Sequence, residues 1–322
     1  MSIWKKDSHI YTELLEVEKH IGKALKSRQS TLTKGVEGLL EAGGKRVRPA
    51  LVLLSGQFGE YDRKKLMPLA AGVEILHMAT LVHDDIIDDA DIRRGAPTIQ
   101  AKWGKDMAVF TGDFLLTRAF SLITQNVELE SMHKLSNVLK AICEGEIDQY
   151  EARFDLDTSV GDYLKRIARK TALLFTASCR LGAEQSHCTP RNAFNLRHYG
   201  QNLGMAFQIK DDLLDFSDDQ EVLGKPSLAD FANGIFTLPI IYLARKEKYR
   251  SKLVDIINSG EFLPEELLNI KNWVHESGAI EYTKALAKRY MDRALNNLSA
   301  LPPIPARDSM EHLAMELRER DY

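Results

Sequence analysis

Residues 66–89 read LMPLAAGVEILHMATLVHDDIIDD, an apolar stretch that ends in a cluster of aspartates. Its apolar residues recur at helical spacing, which predicts a single helix from Leu66 to Asp89. Residues four apart lie above one another on a helix, so Asp84 and Asp88 present two carboxylates on one face. The stretch therefore predicts a core helix with a pair of carboxylates near its end.

A second stretch repeats this arrangement. Residues 191–216 read RNAFNLRHYGQNLGMAFQIKDDLLDF, and Asp211 and Asp215 are again separated by one helical turn. Two close carboxylates repel each other by up to about 4 kcal/mol at an effective dielectric constant near 20, so a cation must offset this cost. A solvated acidic face, or pairing with Arg93 and Arg94, is the structural alternative.

The chemistry of the ligands favours Mg²⁺. Carboxylate oxygens without cysteines or paired histidines are typical of sites for hard cations, and Mg²⁺ is usually completed by water and by phosphate oxygens. We therefore expect a metal-bridged diphosphate and a reaction in which the diphosphate departs.

The rest of the chain also has helical periodicity, and alternation typical of strands is scarce. We expect an all-α protein with a single helical domain spanning residues 1–322. The predicted helices are Tyr11–Leu25, Thr31–Glu41, Pro49–Phe58, Leu66–Asp89, Ala108–Ile123, Met132–Glu151, Asp162–Ala183, Arg191–Phe216, Leu238–Lys246 and Tyr282–Leu298.

Composition excludes several classes of function. The 322 residues are 44% hydrophobic and carry a formal net charge of −3, which offers no electrostatic surface for nucleic acid. Three cysteines without a CxxC pair indicate neither a disulfide framework nor a structural zinc site, and favour a reducing cytoplasm.

We expect no signal peptide at the N-terminus. The segment Leu66–Val82 contains Pro68, Glu74 and His77, so we interpret it as a core helix rather than a membrane span.

Residues 43–49 read GGKRVRP and place three cations in a turn before a predicted helix start at Pro49. Helix N-termini and arginine forks both favour phosphate, so Lys45 and Arg48 are candidate ligands of a diphosphate. A solvated basic turn is the alternative. His77 lies two helical turns before Asp84 on the same face and is a further candidate, although a lone histidine on such a helix is often a core residue.

Further polar residues flank the two motifs. Arg93 and Arg94 follow the first cluster, while Lys170, Thr171 and Lys225 supply more donors for two diphosphates. Gln208 precedes Asp211 by three residues on nearly the same face, where it could orient the substrate or stabilise developing charge. An ordinary interior hydrogen bond is the alternative for Gln208.

In order, the chain contains GGKRVRP, DDIID followed by RRG, the pair Lys170-Thr171, and FQIKDDLLD. From Gly43 to Pro239 these motifs resemble the trans-isoprenyl diphosphate synthases, and more narrowly the large catalytic subunits of heterodimeric bacterial hexaprenyl or heptaprenyl diphosphate synthases.

The resemblance implies a bundle of long helices around a deep central cavity, with metal and diphosphates at its mouth. It implies condensation of isopentenyl diphosphate with an allylic diphosphate, with about three Mg²⁺ ions per active site. It further implies a dimer, either with a small non-identical subunit or with a second copy, and makes the membrane surface a candidate place of product release.

Residues implied to bind isopentenyl diphosphate are Lys45, Arg48, His77 and Arg94. Those implied to face the allylic diphosphate are Arg93, Lys170, Thr171, Gln208 and Lys225, with Arg93, Lys170, Thr171 and Gln208 assigned to catalysis. Those implied to carry Mg²⁺ are Asp84, Asp88 and Asp211, supported by Asp85, Asp212 and Asp215.

Two positions depart from the family pattern. The family usually has a lysine where this chain has Ile235, so one contact to the allylic diphosphate is absent, and a usual glycine is Leu228 here. Loss of that lysine also resembles the heterodimeric class.

Chain length in this family depends on residues just before the first aspartate motif. Here these are Ala79 and Thr80, and small residues imply a product of about C30 to C40, as for a quinone side chain. Thr80 lies on the aspartate face of the predicted helix, Ala79 lies well round from it, and Leu76 is a candidate floor of the cavity. A shorter-chain farnesyl or geranylgeranyl diphosphate synthase and a noncatalytic regulatory subunit are the alternatives.

Overall fold

The computed structural model describes residues 3–6, 8–41, 43–93, 95–216 and 228–319. The chain divides into two compact units, each assembled from three separate segments. The first comprises Met1–Asn137, Leu174–Gly200 and Leu295–Glu316, and the second comprises Val138–Leu173, Gln201–Ala294 and Leu317–Tyr322. The single domain expected from the sequence stays a prediction.

Helices dominate the described residues, which confirms the all-α prediction. In chain order the elements begin with α1 (His9–Ala24), α2 (Ser30–Glu41), α3 (Val47–Gly56), α4 (Arg63–Ile87), β1 (Ile92–Arg93), β2 (Ala96–Pro97), α5 (Ile99–Trp103), α6 (Lys105–Thr124), α7 (Leu129–Glu151) and α8 (Val160–Ile167). They continue with a π-helical turn (Ala168–Ala172), α9 (Leu173–Gln185), α10 (Pro190–Leu214), α11 (Ala229–Ala232), α12 (Leu238–Ala244), α13 (Glu247–Ser259), α14 (Pro264–Glu276), α15 (Ala279–Ser299) and α16 (Pro305–Arg318).

Helix α4 forms the centre of the first unit. It begins after Asp62, whose side chain accepts a hydrogen bond from the backbone N–H of Lys64 at 2.9 Å and so caps the helix. Both α4 and α6 are long and apolar enough to cross a membrane by length and composition, and their apolar windows are 72% and 33% buried. The largely buried α4 is thus a core helix, as its sequence predicts. Helix α6 packs against α4 along one face and exposes apolar side chains such as Phe110 along another.

The second unit has its own core. Apolar residues of α8, the later part of α10 and α11–α15 form one buried cluster that includes Tyr163, Leu213, Phe231 and Leu286. This core fixes the end of α8, which leads into the π-helical turn with Lys170 and Thr171, and the end of α10, which carries Gln208, Asp211 and Asp212.

Some elements differ from the sequence-based predictions. The predicted helix Asp162–Ala183 is interrupted by the π-helical turn, and α3 begins at Val47, two residues before Pro49. Proline in the first turn costs no hydrogen bond because the N–H groups there lack intrahelical partners. The helices that were not predicted are α5, α11, α13, α14 and α16. The first two have only five and four residues, too few to show periodicity.

Candidate active site

The first aspartate motif lies at the end of α4. The backbone N–H of Asp88 donates to the carbonyl oxygen of Asp84 at 2.8 Å, so one helical turn separates the two residues as predicted. Asp84 and Asp88 are both half-buried. Asp85 points elsewhere and is only 4% exposed.

Asp85 pairs with Arg93 of strand β1, whose Nε donates to the Asp85 carboxylate. The two-residue strands β1 and β2 form a hairpin that returns the chain to the end of α4. The side chains of Thr98 and Gln100 then donate to the carbonyl oxygen of Ala90 at 2.7 and 2.9 Å. Arg93 therefore neutralises the middle aspartate of the motif and fixes the loop that follows it.

The second motif, in the second unit, also has a buried middle aspartate. Asp211 is exposed, whereas Asp212 is buried and accepts hydrogen bonds from Tyr163 Oη at 2.6 Å and Gln208 Nε2 at 2.8 Å. Burial raises the pKa of Asp212 to about 7, although both hydrogen bonds act in the opposite direction. Asp215 is also buried and accepts from the backbone N–H of Asp230 at 3.3 Å.

A chain of hydrogen bonds connects this motif to the π-helical turn. Thr171 Oγ1 donates to Gln208 Oε1 at 2.5 Å, and Gln208 in turn donates to Asp212. Lys170 Nζ lies 2.9 Å from Oε2 of Glu146 on α7. The structure thus joins Thr171 and Gln208 to Asp212 of the second motif, whereas Lys170 pairs with Glu146 of α7.

The π-helical turn lies close to α7. A side-chain carbon at Gly145 would lie only 2.8 Å from Cβ of Arg169, so glycine permits the contact. Arg169 pairs with Asp148 one turn further along α7. A π turn inserts one extra residue into a helix, which shifts the side chains that follow it around the axis. Thr171, which bonds to Gln208, lies within this turn.

Arg166 is a buried residue that the sequence did not single out. Its Nη2 donates to the carbonyl oxygen of Phe236 at 2.5 Å, and its guanidinium lies 5.6 Å from the centre of the Tyr163 ring. Burial lowers the pKa of Arg166 from its ordinary value. Arg166 thereby holds the segment that contains Ile235, where the family usually has a lysine.

The basic turn and His77 belong to the first unit. Gly43 and Arg46 have positive φ angles of 66° and 51°, and the guanidinium of Arg48 lies 4.8 Å from the centre of the Phe175 ring. His77 lines a cavity with about 730 Å³ of empty space, including space open to solvent, between α2, α4 and the hairpin. Arg46, Asp85 and Arg93 line the same cavity. His77 therefore lines the same cavity as Arg93, the counterion of Asp85. Arg94 and Lys225 lie outside the described residues.

The three chain-length candidates lie on two sides of α4. A side-chain carbon at Gly72 would lie 2.7 Å from Ile123 of α6, and one at Gly112 of α6 would lie 2.2 Å from His83. Ala79 lies between Gly72 and His83 on this α6-facing side, because residues four and seven apart share a helical face. Leu76 is four residues from both Gly72 and Thr80, so it lies at the boundary between the two sides. Thr80 lies instead on the side of Asp84, and its hydroxyl donates to the carbonyl oxygen of His77 at 2.8 Å.

Sequence analysis missed two partners of predicted site residues, Glu146 beside Lys170 and Tyr163 beside Asp212. It also did not single out the buried residues Arg46 and Arg166. Tyr163 and Arg166 are three residues apart and so share a face of α8, which is a possible signal. Nothing in the sequence, however, indicates that this face meets Asp212.

Similarity to known proteins agrees with this geometry. The family model for polyprenyl synthetase matches residues 29–272. The chain is 39% identical over 315 residues to heptaprenyl diphosphate synthase component 2 of Geobacillus stearothermophilus, covering 98% of both sequences. It is 34% identical over 289 residues to octaprenyl diphosphate synthase of Escherichia coli, covering 88% of both.

A solved structure shows the same fold. The crystal structure of heptaprenyl diphosphate synthase from Staphylococcus aureus matches with a TM-score of 0.94 at 35% sequence identity, over 98% of this chain and 99% of that one. This match confirms the isoprenoid synthase-like fold that the motifs predicted. The chain belongs to the polyprenyl synthetase family and is a prenyltransferase of isoprenoid biosynthesis.

Proposed function

We propose that the protein is a Mg²⁺-dependent synthase that condenses isopentenyl diphosphate with an allylic diphosphate, farnesyl diphosphate in particular, to give an all-trans product of about C30 to C40. The observation that carries this proposal is the common build of the two aspartate motifs. In each, the middle aspartate (Asp85 or Asp212) is buried and bonded to protein groups. Of the remaining aspartates, Asp84 and Asp88 are half-buried, Asp211 is exposed, and Asp215 is buried with a hydrogen bond from the backbone N–H of Asp230.

The donor set fits Mg²⁺. Among the described residues, no three His, Cys, Asp or Glu side chains are assembled into a cluster that could hold a metal ion by themselves. Mg²⁺ is commonly held by one or two carboxylates and completed by water and substrate phosphate oxygens, which matches a motif offering Asp84 and Asp88. Asp211 and Asp215 would serve in the same way, with Asp85 and Asp212 in support and about three ions per site.

The chain's own residues then have distinct tasks. Lys45, Arg48, His77 and Arg94 would bind isopentenyl diphosphate. Arg93, Lys170 and Lys225 would bind the allylic diphosphate.

Cleavage of the allylic carbon–oxygen bond would leave a delocalised carbocation. Bound Mg²⁺ would stabilise the negative charge on the departing diphosphate. Thr171 and Gln208, already hydrogen-bonded to each other, would present oxygen atoms that stabilise the cation. The isopentenyl double bond would attack the cation, and the departed diphosphate would accept the proton that is then lost.

A second, non-identical subunit is part of the proposal. The name of the Geobacillus relative, component 2, implies that its enzyme contains a further component. Ile235, in place of the family's usual lysine, removes one cation from the segment held by Arg166. A partner that completes the active protein would explain how this chain tolerates the change, and a second copy is the other form that the dimer could take.

The test is an assay of the purified chain with Mg²⁺, farnesyl diphosphate and labelled isopentenyl diphosphate, both alone and with its cognate small subunit. Products are dephosphorylated and separated by chromatography against prenyl alcohol standards. Extended products of medium length support the proposal, and products that stop at geranylgeranyl identify a short-chain synthase. A farnesyl diphosphate synthase would extend geranyl diphosphate, supplied as the primer in a parallel assay, but not farnesyl diphosphate. Metal-dependent diphosphate binding without extension in either mixture would overturn the proposal in favour of a noncatalytic subunit.

A cytoplasmic location and a quinone side chain as the fate of the product complete the proposal. The three cysteines, Cys143, Cys179 and Cys188, are all free thiols, as a reducing compartment requires. Fractionation of cells that express a tagged chain would test the location, and loss of prenylated quinones on gene deletion would test the fate of the product.

A further inference from the structure

Arg46 lies between two residues that we expect to bind diphosphate, Lys45 and Arg48, yet it is not placed like a ligand. Only 3% of Arg46 is exposed, and its backbone is in the left-handed region with φ of 51°. Non-glycine residues adopt this conformation at a cost, which the surrounding contacts must offset.

Those contacts are two ion pairs. Arg46 Nη1 lies 2.9 Å from Oε1 of Glu74 on α4, and Arg46 Nε lies 3.2 Å from Oε1 of Glu18 on α1. The Glu74 side chain is 6% exposed and that of Glu18 is 34% exposed. A buried charge is tolerated only when it is paired, so Arg46 joins the basic turn to two helices of the first unit.

Trp4 provides a second attachment at the neighbouring residue. Its indole Nε1 donates to the carbonyl oxygen of Lys45 at 2.7 Å, and Trp4 is only 4% exposed. The backbone of the turn is thus held on one side by the N-terminal segment and on the other by the Arg46 ion pairs. Arg48 stacks on Phe175 of α9, which restrains the second cation of the turn.

We propose that Arg46 and Trp4 are positioning residues, which hold the turn in the conformation that lets Lys45 and Arg48 bind the diphosphate of isopentenyl diphosphate. This inference rests on the proposed function. A turn that is fixed before the ligand arrives loses less conformational entropy on binding. The rigidity of this turn should therefore raise the affinity for isopentenyl diphosphate and leave the affinity for the allylic substrate unchanged.

Two variants test the inference. Trp4→Phe keeps an aromatic ring and removes the hydrogen bond to Lys45. The double variant Arg46→Met with Glu74→Leu replaces the buried pair by apolar groups, which proteins often tolerate without loss of stability. We expect each variant to raise the KM for isopentenyl diphosphate about two- to tenfold, the worth of one or two hydrogen bonds. The KM for the allylic substrate and kcat at saturating substrate should stay unchanged.

A readout without turnover accompanies the kinetics. Isopentenyl diphosphate alone should raise the Tm of the wild-type protein, and this increase should be smaller in both variants. The control is Glu13→Gln, which weakens an ion pair between buried Glu13 of α1 and Arg63 of α4, whose side chain is 49% exposed and whose Nε lies 2.9 Å from Glu13 Oε1. It should lower Tm in the absence of ligand and leave both KM values unchanged.

The outcomes separate this inference from the proposed function. If the wild-type protein extends prenyl chains and the variants bind isopentenyl diphosphate as tightly as it does, the inference is overturned. Equal increases in both KM values, or a change in Glu13→Gln like that in the variants, would also overturn it, because they indicate a general structural defect. A wild-type protein that shows no extension would instead overturn the proposed function.

Discussion

Asp85 and Asp212 hold the middle positions of their motifs, and each is buried against a donor of its own. For Asp85 the donor is Arg93, and for Asp212 the donors are Tyr163 and Gln208. A buried carboxylate without such donors would be costly, so these bonds decide the orientation of the helix end that carries the outer aspartates. The contacts of the two middle aspartates therefore govern the placement of the outer aspartates.

Tyr163→Phe tests this role. The change removes one donor from buried Asp212, so we expect the free energy of unfolding to fall by about 1–3 kcal/mol. Turnover should fall as well, because Asp212 also fixes Gln208. Urea denaturation and initial rates at saturating substrate measure the two effects.

Tyr199→Phe is the matched control, because Tyr199 is also fully buried and its hydroxyl donates to the carbonyl oxygen of Met310 at 2.6 Å. It should lower stability by a similar amount and leave turnover close to the wild-type value. Equal loss of turnover in the two variants would contradict the role assigned to Tyr163.

Helix α4 shows how one element serves two surfaces. Its α6-facing side carries Ala79, which is 1% exposed. The side of Asp84 carries Thr80, which is half-buried. A residue that limits product length must lie where the growing chain passes, and the aspartate side is the one next to the proposed diphosphate site.

We therefore expect Thr80→Phe to shorten the product by one or more isoprene units. Ala79→Phe should chiefly disturb the packing of α4 on α6 and lower the midpoint of unfolding, because overpacking a core costs about 1–3 kcal/mol. Chromatography of the dephosphorylated products and urea denaturation distinguish the two effects. Shorter products from Ala79→Phe, with products of Thr80→Phe unchanged, would reverse the assignment.

Glycines on two helices allow a comparison at the same scale. A side-chain carbon at Gly182 of α9 would lie 2.1 Å from the carbonyl oxygen of Val52 on α3, whereas one at Gly22 of α1 would meet nothing within 4 Å. Gly182→Ala should therefore lower the free energy of unfolding by at least about 1–3 kcal/mol. Gly22→Ala should raise it by about 0.5–1 kcal/mol. Denaturant titrations that show the same sign for both would contradict the packing described for α3 and α9.

The two aspartate motifs belong to different compact units, and the proposed function makes them act in one reaction. Asp84→Ala and Asp211→Ala should each abolish measurable extension, and the double variant should be no worse than either. Residues that act as one unit are not additive in their effects on kcat. Far-ultraviolet circular dichroism should show unchanged helicity.

Asp89→Asn is the control for these variants. Asp89 follows the first motif, pairs with Lys105 at the surface and has a positive φ of 50° that asparagine tolerates. Its turnover should stay within about twofold of the wild type, as is usual for a surface ion pair. Residual extension by Asp84→Ala at the rate of Asp89→Asn would contradict the metal assignment.

Most long helices and the motif residues could be predicted from the sequence. The reason is that the periodicity of apolar residues and the spacing of the aspartates are visible within a few helical turns of the chain. The sequence predicted that Thr171 and Gln208 act together only through family resemblance, and the structure joins them by a hydrogen bond. It could not indicate Arg46 as the buried cation of GGKRVRP, nor Tyr163 as the donor to Asp212. Those facts depend on contacts between residues tens of positions apart. The sequence likewise does not show that Gly182 lies in close contact with another helix while Gly22 has open space around it.

The π-helical turn means that this region carries one residue more than a regular helix needs. Deleting Ala168 would let α8 and α9 join into a continuous α-helix, and would rotate the residues on one side of the deletion by about 100° relative to the other. Lys170 and Thr171 would then lose their registration with Glu146 and Gln208. The shortened protein would have a regular helix here but would lose turnover. In a library of random single-codon deletions selected for heat resistance, we therefore expect the inactive variants to carry deletions in this turn more often than elsewhere.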